Sequence, residues 1–287
     1  MRFGHQGEGF DPSAASPRDT MASLSFITPQ LHKPVLLSAA YTHGEPRELF
    51  GVEEHRVLVR DLRPVARSLT LDRHGMGLRY WPTCVEDLTD DRLVDGAYVS
   101  EVEEFLAAEL GASVVVVFDV TRRSDRPEGA QNKDGPRGPA SRVHVDYTWA
   151  SGSTRARDVL GAGVFAAYES AGRRVTQVNV WRPVRGPVRR SPLALADASS
   201  IDPELLLATD QIFPDRRGEI YHLAFSEQQR WFYAPELGRD EVLLIKGWDS
   251  LEKGVARFTP HAAFNLPDHD DVSEYRESIE ARAIIVV

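Results

Sequence analysis

The last third of the chain carries five short β-rich runs in quick succession, at residues 220–225, 231–234, 241–245, 262–264 and 276–287, with turn residues between them. Runs this short and close cannot belong to a helical bundle, nor to a parallel α/β sheet, where long helices separate the strands. They must pair with one another and with earlier strands, which predicts a mainly β (α+β) chain with flanking helices, built as a β-barrel or jelly roll. Earlier strands are expected at 113–120, 142–148 and 175–180, and residues 27–81 read as strands and loops.

Helical spacing is confined to a few places. Tyr98, Val102, Phe105, Leu106 and Leu110 share one face, and the run ends at Gly111, which suits a left-handed C′ position. A second helix is expected over 154–170, closed by Gly172. Asp202, Pro203 and Glu204 supply an N-cap, a first-turn proline and an acidic first turn for a short helix outside the sheet, reaching about Gln211. The polar, Pro/Gly-rich stretch 124–141 is a loop, expected to serve as part of a lid over whatever site the next strand bears. No repeat, heptad pattern or inner linker divides the chain, so residues 27–287 are expected to form a single domain. Residues 1–26, without an apolar signal core, are expected to be a disordered leader in which Met21 is an alternative start.

Charge and cysteine usage narrow the partners. The formal charge of −9 argues against nucleic acid, which is met by an excess of Lys and Arg, and leaves a small-molecule substrate as the expected partner. No apolar run approaches the roughly 18 residues of a membrane span. Cys84 is the only cysteine, so no intrachain disulfide can form, and a reducing cytoplasm is the expected compartment. Nothing in the pattern fixes an oligomeric state.

The chemistry-bearing residues lie on the strands. In His144-Val145-Asp146 the histidine and aspartate are two apart, so on a strand they point the same way. One reading is a structural His–Asp hydrogen bond. The other is a pair of metal ligands, which His261, at the start of a late strand, would complete as two imidazoles and one carboxylate with open positions on the ion. A second triplet, His269-Asp270-Asp271, lies in a polar stretch and reads as solvated loop. At the C-terminal end the even positions Arg276, Ser278, Glu280 and Arg282 are polar, while Ile279, Ala281 and Ala283 form the opposite, apolar face. That polar side would face solvent in an ordinary sandwich. In a ligand-bearing barrel, Arg276 could pair with a carboxylate beside the Ser278 hydroxyl, while Glu280 balances Arg282.

The order His-x-Asp, distal His, Arg-x-Ser resembles that of the iron(II)/2-oxoglutarate-dependent oxygenases built on a double-stranded β-helix, a jelly-roll, cupin-like barrel. More closely, Val143-His144-Val145-Asp146, Asn179-Val180-Trp181-Arg182-Pro183, Lys246-Gly247-Trp248-Asp249-Ser250 and Arg276-Glu277-Ser278-Ile279-Glu280-Ala281-Arg282 are similar to stretches of the cephamycin methoxylation component and the fungal AsaB-like hydroxylase/desaturases. The resemblance runs from about Tyr80 onward. It implies Fe(II) held by His144, Asp146 and His261, 2-oxoglutarate anchored by Arg276 and Ser278 with Arg282 as the competing anchor, and O2 as oxidant. Hydroxylation, desaturation or cyclisation of an unactivated carbon would follow, with release of succinate and CO2, on a substrate of secondary metabolism that the sequence does not name. A zinc-dependent hydrolase and a non-catalytic ligand-binding barrel are the alternatives.

Overall fold

A computed structural model describes residues 11, 15–44 and 46–287. Strands β1 to β7 are Thr20–Ile27, Val35–Leu37, Arg47–Glu48, Val52–Asp61, Met76–Tyr80, Val114–Ser124 and His144–Val145. Strands β8 to β15 are Val175–Pro183, Leu193–Ala196, Leu206–Ile212, Arg217–Leu223, Trp231–Tyr233, Glu241–Asp249, His261–Ala263 and Glu277–Val286. The three helices longer than two turns are α1 (Val99–Leu110), α2 (Trp149–Leu160) and α3 (Ala162–Ser170). The chain is thus mainly β with few helices, as expected.

Among the described residues the strands form two sheets, one ordered β1-β4-β12-β9-β14-β7-β11-β10-β2-β3 and the other β5-β13-β8-β15-β6. Between the sheets, Leu193, Leu195 and Phe232 from the first pack on Trp181, Leu243 and Ile245 from the second. Helix α1 covers the outer face of the smaller sheet, where its Tyr98, Val102, Leu106 and Leu110 meet Val178, Val180, Ile279 and Ala281. The larger sheet curls back on itself. Ala22, Leu24 and Phe26 of β1 pack behind Val143, Leu223 and Ala262, and Ser25 bridges Arg142. Each such buried aliphatic or aromatic side chain contributes about 1.5–3 kcal/mol, so these apolar layers can carry a polar row between the sheets.

Several sequence expectations change. The region expected as a leader to residue 26 overlaps β1, whose alternating Ala22, Leu24 and Phe26 are buried; residues 1–10 and 12–14 lie outside the described residues. The helix expected at 154–170 starts earlier, because Thr148 and Ser151 form a reciprocal capping box, and it breaks at Gly161, whose φ of 85° and ψ of 138° no helix can contain. The helix expected after Asp202 is one 3-10 turn, Pro203–Leu205. Leu206 then enters β10, which pairs with β11 from Leu206↔Leu223 to Ile212↔Arg217 and on its other side with β2. Capping residues act locally, and here the non-local pairing of two neighbouring strands outweighs them. The polar side of 276–282 does not face solvent: Arg276, Ser278, Glu280 and Arg282 are all buried.

Candidate metal centre

The centre forms where β7 and β14 meet. His144 and His261 are register partners across these antiparallel strands, with ring centroids 4.5 Å apart. Each Nδ1 lies beside a carbonyl two residues back in its own strand, Arg142 at 2.8 Å for His144 and Thr259 at 3.0 Å for His261. A carbonyl can only accept, so each Nδ1 carries a proton, and in the neutral ring this leaves the lone pair on Nε2.

Asp146 completes the set. Its Oδ2 accepts from Arg282 Nε at 2.9 Å and from Asn179 Nδ2 at 2.7 Å, while Oδ1 stands 3.7 Å from His144 Nε2. One ligand atom from each of His144, Asp146 and His261 lies within 4.8 Å of the others. Two imidazole lone pairs and one carboxylate oxygen, with their remaining polar atoms held by neighbours, fit a single first-row cation with open positions.

Protonation favours the same use. Burial, with neighbouring His261, pushes the His144 imidazole down to about 3, against the pull of Asp146. Burial works to raise the Asp146 carboxyl, but Arg282 together with the neighbouring His261 and His144 outweighs it and holds the group well below the usual carboxylate range. Both are therefore in ligand form at neutral pH.

A pH effect follows for the metal-free protein. His222, register partner of His144 on β11, is also pushed down, to about 4, by burial and by Arg142. Folded, these two histidines stay neutral; unfolded, they take up protons near the ordinary value of 6.5. The unfolded state thus binds more protons as pH falls below about 6.5, and stability is lost progressively down to about 3. Urea midpoints at pH 7.5 and pH 5 should show a clear drop, reduced in His222→Gln; equal midpoints would contradict the buried neutral histidines.

The expected anchors separate sharply. Arg282 is fully engaged, with Nη1 donating to Asp119 at 2.6 Å and to Thr121 at 3.1 Å, and Nη2 to Glu280 at 3.1 Å, besides its bond to Asp146. Arg276, which precedes β15, is 4% exposed and donates Nη1 to the Ser191 carbonyl at 3.2 Å, but its buried Nε and Nη2 have no partner. Trp181 lies 5.8 Å from its guanidinium, and the Ser278 hydroxyl, two residues on, is 3.5 Å from the Arg123 carbonyl. A buried guanidinium with two unmet donors fits a carboxylate. His269 stands apart from the centre, beside Arg190 at 3.3 Å.

Sequence reasoning missed Asn179, Arg123 and His222. Asn179 bridges Asp146 and Glu280, and His222 is held by Thr209 at 2.9 Å and by the Phe50 ring at 5.0 Å. The usable signal was alternation, because Gln177 and Asn179 interrupt an apolar strand on one face only.

The YDMC family model, described as an oxidoreductase/YMDC permease-like domain, matches residues 24–286. No helix among the described residues is long and apolar enough to cross a membrane. The chain is 31% identical over 238 residues to the alpha-ketoglutarate-dependent dioxygenase phiK of a fungal species, covering 80% of this chain and 83% of that one. The chain belongs to the Fe(II)/2-oxoglutarate-dependent dioxygenases. The dioxygenase is also 29% identical over 269 residues to the hydroxylase/desaturase efuI of Hormonema carpetanum, with 85% and 87% of the two chains covered. Among solved structures it superposes on the iron and alpha-ketoglutarate-dependent endoperoxidase NvfI with a TM-score of 0.81 and 26% identity, over 94% of this chain and 98% of that chain. The dioxygenase therefore uses Fe(II), 2-oxoglutarate and O2 to oxidise a small molecule.

Proposed function

We propose that His144, Asp146 and His261 hold the iron of this dioxygenase, and that Arg276 with Ser278 holds the distal carboxylate of 2-oxoglutarate. The scaffold of the proposal is a double-stranded β-helix in one domain that begins with β1, over residues 20–287, and the substrate is a secondary metabolite. Its main support is twofold: one ligand atom from each of His144, Asp146 and His261 lies within 4.8 Å of the others, and the buried Arg276 guanidinium has two donors without a partner among the described residues.

Iron, when bound, supplies the activation of O2 and the coupled decarboxylation of 2-oxoglutarate that oxidise a substrate carbon. The chain's own residues prepare for this in distinct ways. The carbonyls of Arg142 and Thr259 keep Nε2 of each histidine free of a proton. Arg282 and Asn179 occupy one oxygen of Asp146, which turns the other toward the histidines. Arg276 orients 2-oxoglutarate by its far end, and apolar packing by Leu193, Leu195 and Trp181 excludes water from the space between the sheets.

The test is an anaerobic titration of Fe(II) and then 2-oxoglutarate into the apo protein, followed by the weak visible charge-transfer band of the chelate. Wild type should develop the band. Arg276→Met should need at least about 30-fold more 2-oxoglutarate, the lower end of the 2–5 kcal/mol expected when one side of a buried charge pair is removed. No band in wild type would remove the metal assignment, and an unchanged requirement in Arg276→Met would move the anchor elsewhere.

A further inference from the structure

The charges around the centre do not cancel among themselves. Arg282 is matched by Asp146, Glu280 and Asp119, all within salt-bridge distance. Asp125, next to the start of β15, has its carboxylate taken by Arg190, by the Ser191 hydroxyl and by the backbone N–H of Arg276. Along the polar face that runs from β6 to the start of β15, two guanidinium groups have no salt bridge among the described residues. One is Arg276. The other is Arg123 on β6, which donates Nη1 to the Gly138 carbonyl at 2.9 Å.

These two arginines are brought together by the sheet. Ser278 of β15 is the register partner of Arg123 on β6, so the Arg123 side chain rises beside the Arg-x-Ser pair on the same face. Burial and then the nearby Arg123 push the Arg276 guanidinium down to about 10, and burial pushes Arg123 down to about 10 as well. Glu280 lies near both cations, but its oxygens are taken by Asn179 and Arg282, so a buried guanidinium with two orphaned donors beside a second cation is unfavourable unless an anion joins them.

We propose that Arg123 is a second carboxylate-binding guanidinium, closing on the distal carboxylate of 2-oxoglutarate from β6 while Arg276 holds it from the β15 side. This rests on the reading of Arg276 as the anchor. Its consequence is selectivity: a dicarboxylic 2-oxo acid gains from both cations, whereas a 2-oxo acid with an uncharged tail gains from neither.

The experiment measures equilibrium binding of 2-oxoglutarate and of 2-oxopentanoate, which carries a methyl in place of the distal carboxylate, to the anaerobic Fe(II) protein. Wild type, Arg123→Met, Arg123→Lys and Arg276→Met are compared. Arg123→Met should weaken 2-oxoglutarate about tenfold or more, the size of a lost charge-assisted hydrogen bond, while changing 2-oxopentanoate by less than about twofold; Arg123→Lys should recover part of the loss. Retained 2-oxopentanoate binding also reports that the variant is folded. Equal weakening of both acids would make Arg123 merely structural and overturn the proposal. If Arg276→Met weakens 2-oxoglutarate and Arg123→Met does not, the second cation is wrong and the anchor stands. If neither variant changes 2-oxoglutarate binding, the anchor fails and the proposal with it.

Discussion

His261→Ala should lose both iron binding and turnover, while His269→Ala keeps them. The two histidines test the site against its sequence look-alike, since both lie late in the chain and His269 heads the competing His-x-Asp triplet. His261 offers a proton-free Nε2 to the space that His144 and Asp146 share, and its loss leaves two ligands. Because disturbing even the groups behind a ligand typically costs 10–100-fold in metal affinity, deleting the ligand itself should cost about 100-fold or more. Anaerobic Fe(II) binding followed by calorimetry gives the affinity, and succinate release gives the turnover. His261→Ala binding iron like wild type would remove it from the site; His269→Ala failing to bind would mean that the wrong triplet had been chosen.

Arg282→Met is the variant expected to unfold rather than merely inactivate. The guanidinium touches Asp146, Glu280 and Asp119, and the first two are nearly as buried as Arg282 itself. Breaking a buried ion pair from one side costs about 3–5 kcal/mol, because the carboxylates left behind have neither water nor a counter-charge. A denaturant series should show a loss of that order, and iron should restore part of it by taking over the charge of Asp146. The double variant Arg282→Met with Glu280→Gln should recover some stability in the apo protein, since it removes one of the stranded charges. Wild-type stability in Arg282→Met would mean that solvent, rather than the ion pairs, supports these carboxylates.

The outcome for individual residues shows what a sequence can reveal about such a site. His144 and Asp146 were legible as a pair, because strand alternation places i and i+2 on one face whatever the rest of the chain does. His261 was legible as a candidate only, since its pairing with His144 joins strands far apart in sequence. The choice between Arg276 and Arg282 was legible in part: the pattern set Glu280 against Arg282 and left Arg276 for a carboxylate, with Arg282 kept as the competing anchor. Both sit on the same polar side, and what distinguishes them is occupancy: Arg282 is surrounded by acids on β6, on β15 and just after β7, whereas among the described residues the Arg276 guanidinium is met by a carbonyl and a ring. The same limit explains the misread segment after Asp202, where the local signals for a helix were sound and a strand partner outweighed them.

The two-residue length of β7 has a consequence for how the protein is made. This strand brings only His144 and Val145 to its ladders, and it is positioned by β14 and β11 on its sides and by Ser25 of β1 before it. The arginine that steadies Asp146 comes from β15. Contributions from β1, β11, β14 and β15 must all be present before the pocket exists, so no early folding intermediate contains it. Under the proposed assignment, iron met during synthesis would find only scattered side chains until β15 has emerged, which makes metal uptake a step that follows folding.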